Sequence, residues 1–477
     1  MITIPRNLVR QVRAVFRHAL GTSPRGPFPV VLFRATEHGL TIRSRSDMAA
    51  IEHTVSGKFA ADEFVVRGEL LVDCEGRSDD IVSIGRQDDG DLLASWRDKG
   101  VPVLMRYTPP NTAVLDEFPE PAEPMADNPG SVLPALQDAS QIAEPASARY
   151  ALDHIELCGD SGTIAATDGR QVLVQRGFSF PWQGKLLVPR STVFGYKELR
   201  PSTVVTVCAN DEWLSLRIGP WLYHLKRGED LRFPTVSDHF RSADSAVARL
   251  LISSEDAQSV SRSLSRLPGN DELYRPVTLD MNGQIVIRAR GEEQPQPTEL
   301  LLGKSAYSGE PLRISTDRQY LARALQLGFR EFFFYGANLP VQCGDDGREY
   351  VWAVLDPDSA IKPSSQALRV NVPDTDSSTT DLPNKKRKKT KPMSEDSTAT
   401  KTTTSSKRPT RAKDRGQAEA ATNGDLTSLI DEARSALREA DGKLRALSTA
   451  LKQHQKQVKL VRSTLSSLQQ LQGIKAA

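Results

Sequence analysis

Cysteine is scarce in this chain of 477 residues. The four present, Cys74, Cys158, Cys208 and Cys343, lie far apart and form no CxxC pair, so zinc and thioredoxin-like chemistry have no support. Isolated cysteines suit a reducing compartment, where they pack as small hydrophobes. No apolar run approaches the roughly 20 residues that span a bilayer. Arginines interrupt MITIPRNLVRQVRAVF too often for a signal peptide. A soluble, intracellular protein without membrane contact is expected. Catalytic signatures are missing too: the seven histidines and 60 acids form no HExxH, GxSxG, P-loop or GxGxxG. No enzyme activity, metal or cofactor is expected. Hydrophobic residues make up 38%, low for a wholly packed chain, so part of it should stay unpacked.

What is present is unevenly spread. The formal net charge is only +2, but twelve Lys or Arg against three acids fall between Lys385 and Arg415. Residues 424–477 add nine basic against five acidic residues and Glu419 lies between the two stretches, which leaves the first 384 with a formal −10. An acidic body with a basic tail is a different object from a neutral protein. Composition divides the chain into a globular 1–109, a Pro-rich acidic linker 110–131, patterned sequence over 132–245 and 246–357, a disordered basic linker 358–423, and a helix over 424–474.

Within the globular part a unit of strand, short helix and several strands recurs about every 125 residues. The copies are FVVRGELLVDC with IVSIGRQDDGDLLASWRDKGVPVLMRY, LLVPRSTVFGYKEL with VVTVCANDEWLSLRIGPWLYHLKRG, and LRISTDRQYLARALQLG with EFFFYGANLPVQCGDDGREYVWAVLDP. Their apolar and polar residues alternate, as in half-buried antiparallel strands, with turn signals such as DDGD and GDDG between them. Three α+β domains, alike in plan, are expected.

The first helix carries a basic stripe. Arg6, Arg10, Arg13 and Arg17 follow at steps of four, three and four, which places them on one face. Guanidinium groups so arranged repel one another unless an anion neutralises them, and the helix holds no acid. Phosphate is a natural partner for the planar fork of arginine. Weaker copies are Lys197 and Arg200 at the end of a helix following Val188, Arg262 and Arg266 four residues apart, and Arg318 and Arg323 in the third repeat. No motif for reading bases occurs, so contacts to the DNA backbone are expected. A solvated amphipathic face is the alternative.

ARYALDHIEL (148–157), IAATDGRQVLV (164–174) and LLVPRSTVF (186–194), in that order and spacing, resemble the bacterial DNA polymerase III β sliding clamp family. LRISTDRQYLARAL and SPRGPFPVVLFRATEHGLTIRSRSD resemble its third-domain helix and first strands, so the likeness spans about residues 1–357. It implies three clamp domains with antiparallel sheets outside and helices inside, and a head-to-tail homodimer ring around duplex DNA in the bacterial cytoplasm, associated with the nucleoid. It also implies replicative partners, polymerase and clamp loader, held through short linear motifs. By position, Arg25, Arg149 and Tyr150 match residues facing DNA. Leu152, Thr167, Gly169, Arg170, Val172 and Tyr320 match the walls of the family's apolar peptide cleft. Val354 and Leu355 replace its Met-Pro-Met floor, Asp317 replaces an asparagine and Ala151 a second tyrosine.

Beyond that likeness lie NKKRKKTKP (384–392), which suits nonspecific DNA binding, and a heptad from Leu426 through Ile430, Leu437, Leu444, Leu451, Val458 and Leu465. The heptad predicts a coiled coil with His454 on its seam and a partner that sequence does not name. A DNA-bound scaffold assembled through this tail, outside replication, is the competing reading.

Overall fold

Six copies of one unit, a strand, a helical segment and three strands, follow one another along the chain. The computed structural model describes residues 1–370 except 24–27, 111–117, 146, 148–149 and 200–202. The coiled coil, the basic cluster, Arg25, Arg149 and Arg200 therefore lie outside the described residues.

The first repeat comprises β1 (Ile2–Pro5), α1 (Arg6–Ala19), β2 (Val31–Thr36), β3 (Gly39–Arg45), β4 (Ala49–Ser56), β5 (Asp62–Val66), α2 (Glu69–Cys74), β6 (Ile81–Arg86), β7 (Leu92–Asp98) and β8 (Val101–Tyr107). The second comprises β9 (Ala126–Pro129), α3 (Val132–Ile142), β10 (His154–Cys158), β11 (Thr163–Thr167), β12 (Gln171–Gln175), β13 (Lys185–Pro189), two 3-10 turns (Val193–Gly195 and Lys197–Leu199), β14 (Val204–Ala209), β15 (Trp213–Ile218) and β16 (Trp221–Lys226). The third comprises β17 (Ala248–Leu251), α4 (Ser254–Ser263), β18 (Pro276–Asn282), β19 (Gln284–Ala289), β20 (Thr298–Leu301), β21 (Ala306–Gly309), β22 (Arg313–Asp317), α5 (Arg318–Gln326), β23 (Glu331–Phe334), β24 (Val341–Asp345) and β25 (Arg348–Trp352). A short β26 (Leu368–Arg369) follows.

Each repeat makes two half-sheets of constant order. One half is β5-β2-β3-β4, then β13-β10-β11-β12, then β22-β18-β19-β20. The other is β1-β6-β7-β8, then β9-β14-β15-β16, then β17-β23-β24-β25 with β21 added outside β17. Neighbouring repeats fuse their halves. β4 pairs antiparallel with β16, from Ala49 opposite Leu225 to His53 opposite Trp221, and β12 pairs likewise with β25, from Gln171 opposite Trp352 to Gln175 opposite Arg348. The fused sheets have eight and nine strands.

Apolar spacing explains how the helices sit. Val9, Val12, Val15 and Phe16 put one face of α1 wholly into the core. Each such side chain contributes roughly 1.5–3 kcal/mol. The helical segments form a row: α1 packs on α2, His18 of α1 lies 3.2 Å from Thr192 and stacks near Tyr196, and α3 packs on Val193–Gly195. Arg323 of α5 then bonds Gln141 of α3, and α4 packs on α5. No helix among the described residues is long and apolar enough to cross a membrane.

Three expectations need correction. The segment after Val188 forms 3-10 turns and no α-helix, because Ser, Thr, Val and Gly are weak helix formers and Gly195 lies close against Gln137. The linker 110–131 contains β9, which pairs with β14. The linker 358–423 begins as ordered structure, with a 3-10 turn at Pro357–Ser359 and β26 paired parallel to β20.

Candidate nucleic-acid interface and cleft

The arginine stripe of α1 divides into different jobs. Arg6, the first helical residue, is buried. Its guanidinium donates to the carbonyls of Cys74, Glu75 and Arg97 and to Asp98 Oδ1, at 2.8–3.2 Å. It thereby ties the end of α2 and the end of β7 to the start of α1, and a side chain at Gly76 would collide with it. Arg6 is therefore corrected from a DNA contact to a structural residue. Arg13 meets Glu75 Oε2 at 2.8 Å, so an acid just after α2 supplies the neutralisation that α1 lacks. Arg17 is half-buried and Arg10 is exposed.

Arg318 repeats the arrangement of Arg6. It is the first residue of α5, it is buried, and it donates to the carbonyls of Leu264, Leu267, Pro268, Arg275 and Pro276 at 2.5–3.1 Å. Four of these carbonyls lie between the end of α4 and the start of β18. Burial lowers the Arg318 pKa. The two arginines occupy equivalent places in the repeated unit, directly after its leading strand. Sequence reasoning assigned both to a basic surface. Their shared position was the signal that could have separated them from Arg10.

Arg10, Lys197, Arg262 and Arg266 are exposed on the helical row. Arg10 and Lys197 line one groove of about 410 Å³ between α1 and the 3-10 turns, with Glu198 beside them. Lys197 Nζ is 3.8 Å from Glu198 Oε1, a loose surface contact. Arg262 and Arg266 are exposed at the end of α4 and just beyond it. Tyr150 is half-buried, with the Arg232 guanidinium 5.7 Å from its ring centre.

A cleft of about 630 Å³ opens where the end of α3, the β11–β12 turn and α5 meet. Arg170 and Tyr320, both expected there, line it. Arg170 donates to the Tyr274 hydroxyl at 3.0 Å and lies 4.3 Å from that ring's centre. Burial pushes the Tyr320 phenol well up and raises the Asp317 carboxyl. Arg190, Arg275 and Arg323 also line the space, against Glu144, Asp168 and Asp317, so this cleft is polar where an apolar one was expected. Thr167 and Gly169 shape the turn beneath it: Thr167 Oγ1 donates to the Gln171 carbonyl and accepts from the Gly169 amide, and Gly169 takes φ +84°. Val172 faces elsewhere, in a separate apolar cluster with Ala165, Val174, Val236 and Val351. Leu152 is half-buried near Gly169, Val354 packs on the main core, and the Leu355 amide bonds the Ser315 carbonyl. Sequence reasoning missed Tyr274 and Arg275, whose positive φ values mark a tight bend without a glycine signal.

No protein-family model matches the chain, and no curated protein matches it in sequence. Solved structures do. The DNA polymerase sliding clamp of Pseudomonas aeruginosa superposes with a TM-score of 0.60 at 20% identity, over 74% of this chain and 99% of that one. The DNA polymerase III β subunit of Thermotoga maritima gives 0.59 at 16% identity, over 74% and 99%. The sliding clamp of Bacillus subtilis gives 0.61 at 12% identity, over 74% and 98%.

The chain has the fold of a bacterial sliding clamp.

The clamp fold accounts for why six units recur and why their helices form one row.

Proposed function

We propose that this chain acts without catalysis as a DNA sliding clamp, closing head to tail with a second copy into a ring around duplex DNA and tethering polymerase and other partners through its cleft. One observation carries the reading. The strand that joins forward in each repeat is β4, β12 or β20, and the strand that joins backward is β8, β16 or β25. Two joins, β4 with β16 and β12 with β25, form inside the chain. β20 and β8 remain, one at each end. A second copy supplies the missing partner for each, so that closing both joins gives every forward-joining strand a backward-joining partner.

The cations support the DNA side. An acidic body concentrates attraction where Arg10, Lys197, Arg262 and Arg266 project from the helical row, and phosphate contacts of this kind tolerate sliding. The cleft, with four arginines and two tyrosines, suits short motifs that combine acidic residues with an apolar or aromatic anchor. For comparison, a sliding clamp of Pseudomonas aeruginosa has been solved bound to griselimycin.

The joins are tested by cysteines at the exposed Leu104 on β8 and Leu301 on β20, treated in the full-length chain with a flexible bifunctional thiol reagent. The expected product is a closed pair of chains carrying two links. An open ladder of chains, or no product across copies, contradicts the reading.

A further inference from the structure

The β20 edge is not bare. Its equivalents β4 and β12 each receive an antiparallel partner over five residue pairs. β20 instead receives the chain's own β26, in parallel and over two pairs, Thr298 with Leu368 and Glu299 with Arg369. The amides of Leu368 and Val370 donate to the carbonyls of Pro297 and Glu299 at 2.9 and 2.8 Å. Carbonyls that an incoming strand would use are therefore occupied.

The segment reaches this edge by crossing the sheet. The Leu355 amide bonds the Ser315 carbonyl on β22, Ser359 Oγ donates to Ser315 Oγ at 2.7 Å, and the Ile361 amide bonds Thr278 Oγ1 on β18 at 2.8 Å. At the far side Arg369 Nε lies 3.9 Å from Glu299 Oε2. Its hold is light. Residues 362–366 are exposed and Leu368 is 55% exposed, which leaves the half-buried Val370 as the apolar anchor at this end of the segment. Segments with few buried contacts open at low cost. The opposite edge contrasts with it: β8 shows Val101 at 62%, Leu104 at 64% and Met105 at 38% exposure, the apolar kind of edge that invites pairing.

We propose that residues 356–370 form a strap that competes with β8 of a second copy for the edge of β20, so that the chain gates its own ring closure. The gate rests on the ring reading above. The strap fills the edge in the separate subunit and yields it when the longer antiparallel join forms.

The test is hydrogen exchange of the full-length chain, read over Val101–Tyr107 at several concentrations. It compares the unaltered chain with a L368P/V370P double variant, in which the two donating amides are removed at exposed or half-buried sites. R369E, which sets a like charge against Glu299, is a second variant that keeps both amides. With the gate, β8 amides exchange fast in the unaltered chain. They slow by about tenfold or more, with concentration, in the double variant and by less in R369E. Slow exchange in all three chains overturns the gate while leaving the ring. Fast exchange in all three at every concentration overturns the ring and the gate together.

Discussion

The two joins inside the chain and the two edges at its ends are built from equivalent strands, yet their surroundings differ. At the β12–β25 join, Tyr350 donates to Gln171 Oε1 at 2.6 Å and Trp352 Nε1 to Thr316 Oγ1 at 2.9 Å, all buried. At the β4–β16 join, Trp221 stacks on His53 with ring centres 4.1 Å apart, and His224 shares a 2.7 Å hydrogen bond with Ser215. The internal joins are thus cores, with aromatic anchors whose polar atoms mostly find partners. The terminal edges have only an exposed apolar strand at one end and a lightly held strap at the other. A permanent join is buried and specified; an exchangeable one is left with apolar side chains and main-chain groups that a partner can take.

The sharpest way to break this comparison is Trp352→Ala. It should cost about 3–5 kcal/mol of stability, by urea unfolding, as expected for truncating a buried aromatic. Leu104→Ala, on the equivalent strand β8, should stay within about 0.5 kcal/mol for the unassociated subunit. Similar losses at both sites would erase the distinction.

The buried arginines come next. Arg318→Met should cost about 3 kcal/mol or more, because it removes a buried guanidinium that bonds five carbonyls. Arg6→Met should cost a similar amount, and neither change should act mainly on DNA. A stable Arg6→Met chain with weakened DNA binding would restore Arg6 to the interface.

Acid should act on one internal join more than the other. Burial holds His53 at about 4 and His224 at about 3, both below the ordinary 6.5. Between these values the unfolded chain binds protons that the folded chain refuses, so stability is full above pH 6.5 and falls as pH drops toward 4. The loss should be on the order of 2 kcal/mol or more by pH 4. Hydrogen exchange at pH 5 against pH 7, corrected for intrinsic rates, should show loosening first at β4–β16. The β12–β25 join, which has no histidine in its strands, should follow later.

Smallest in stability is the double change Arg10→Glu with Lys197→Glu, within about 0.5 kcal/mol. Its effect belongs to DNA: binding should weaken across all sequences and the salt slope should shrink by about two. Unchanged binding would remove the helical row from the interface.

The sequence made the repeat legible, because three strand-rich runs with turns between them carry a period-two pattern that survives without sequence identity. The resemblance to the clamp family placed Arg170 and Tyr320 in one cleft. The sequence misjudged Arg6 and Arg318, since helical spacing tells which side chains share a face but not what that face meets, here the end of a neighbouring helix. It also passed over β9 and β26. Four residues ending in proline and two residues in a parallel pair are too short to carry any period, and their pairing is decided by distant strands.

Retention on DNA tests the central claim most directly. The full-length chain is loaded on a nicked circular plasmid, washed at moderate salt, and the plasmid is then cut once. A ring stays on the circle and leaves when the cut creates ends. Equal retention before and after the cut would contradict encirclement and favour a scaffold bound along the DNA surface.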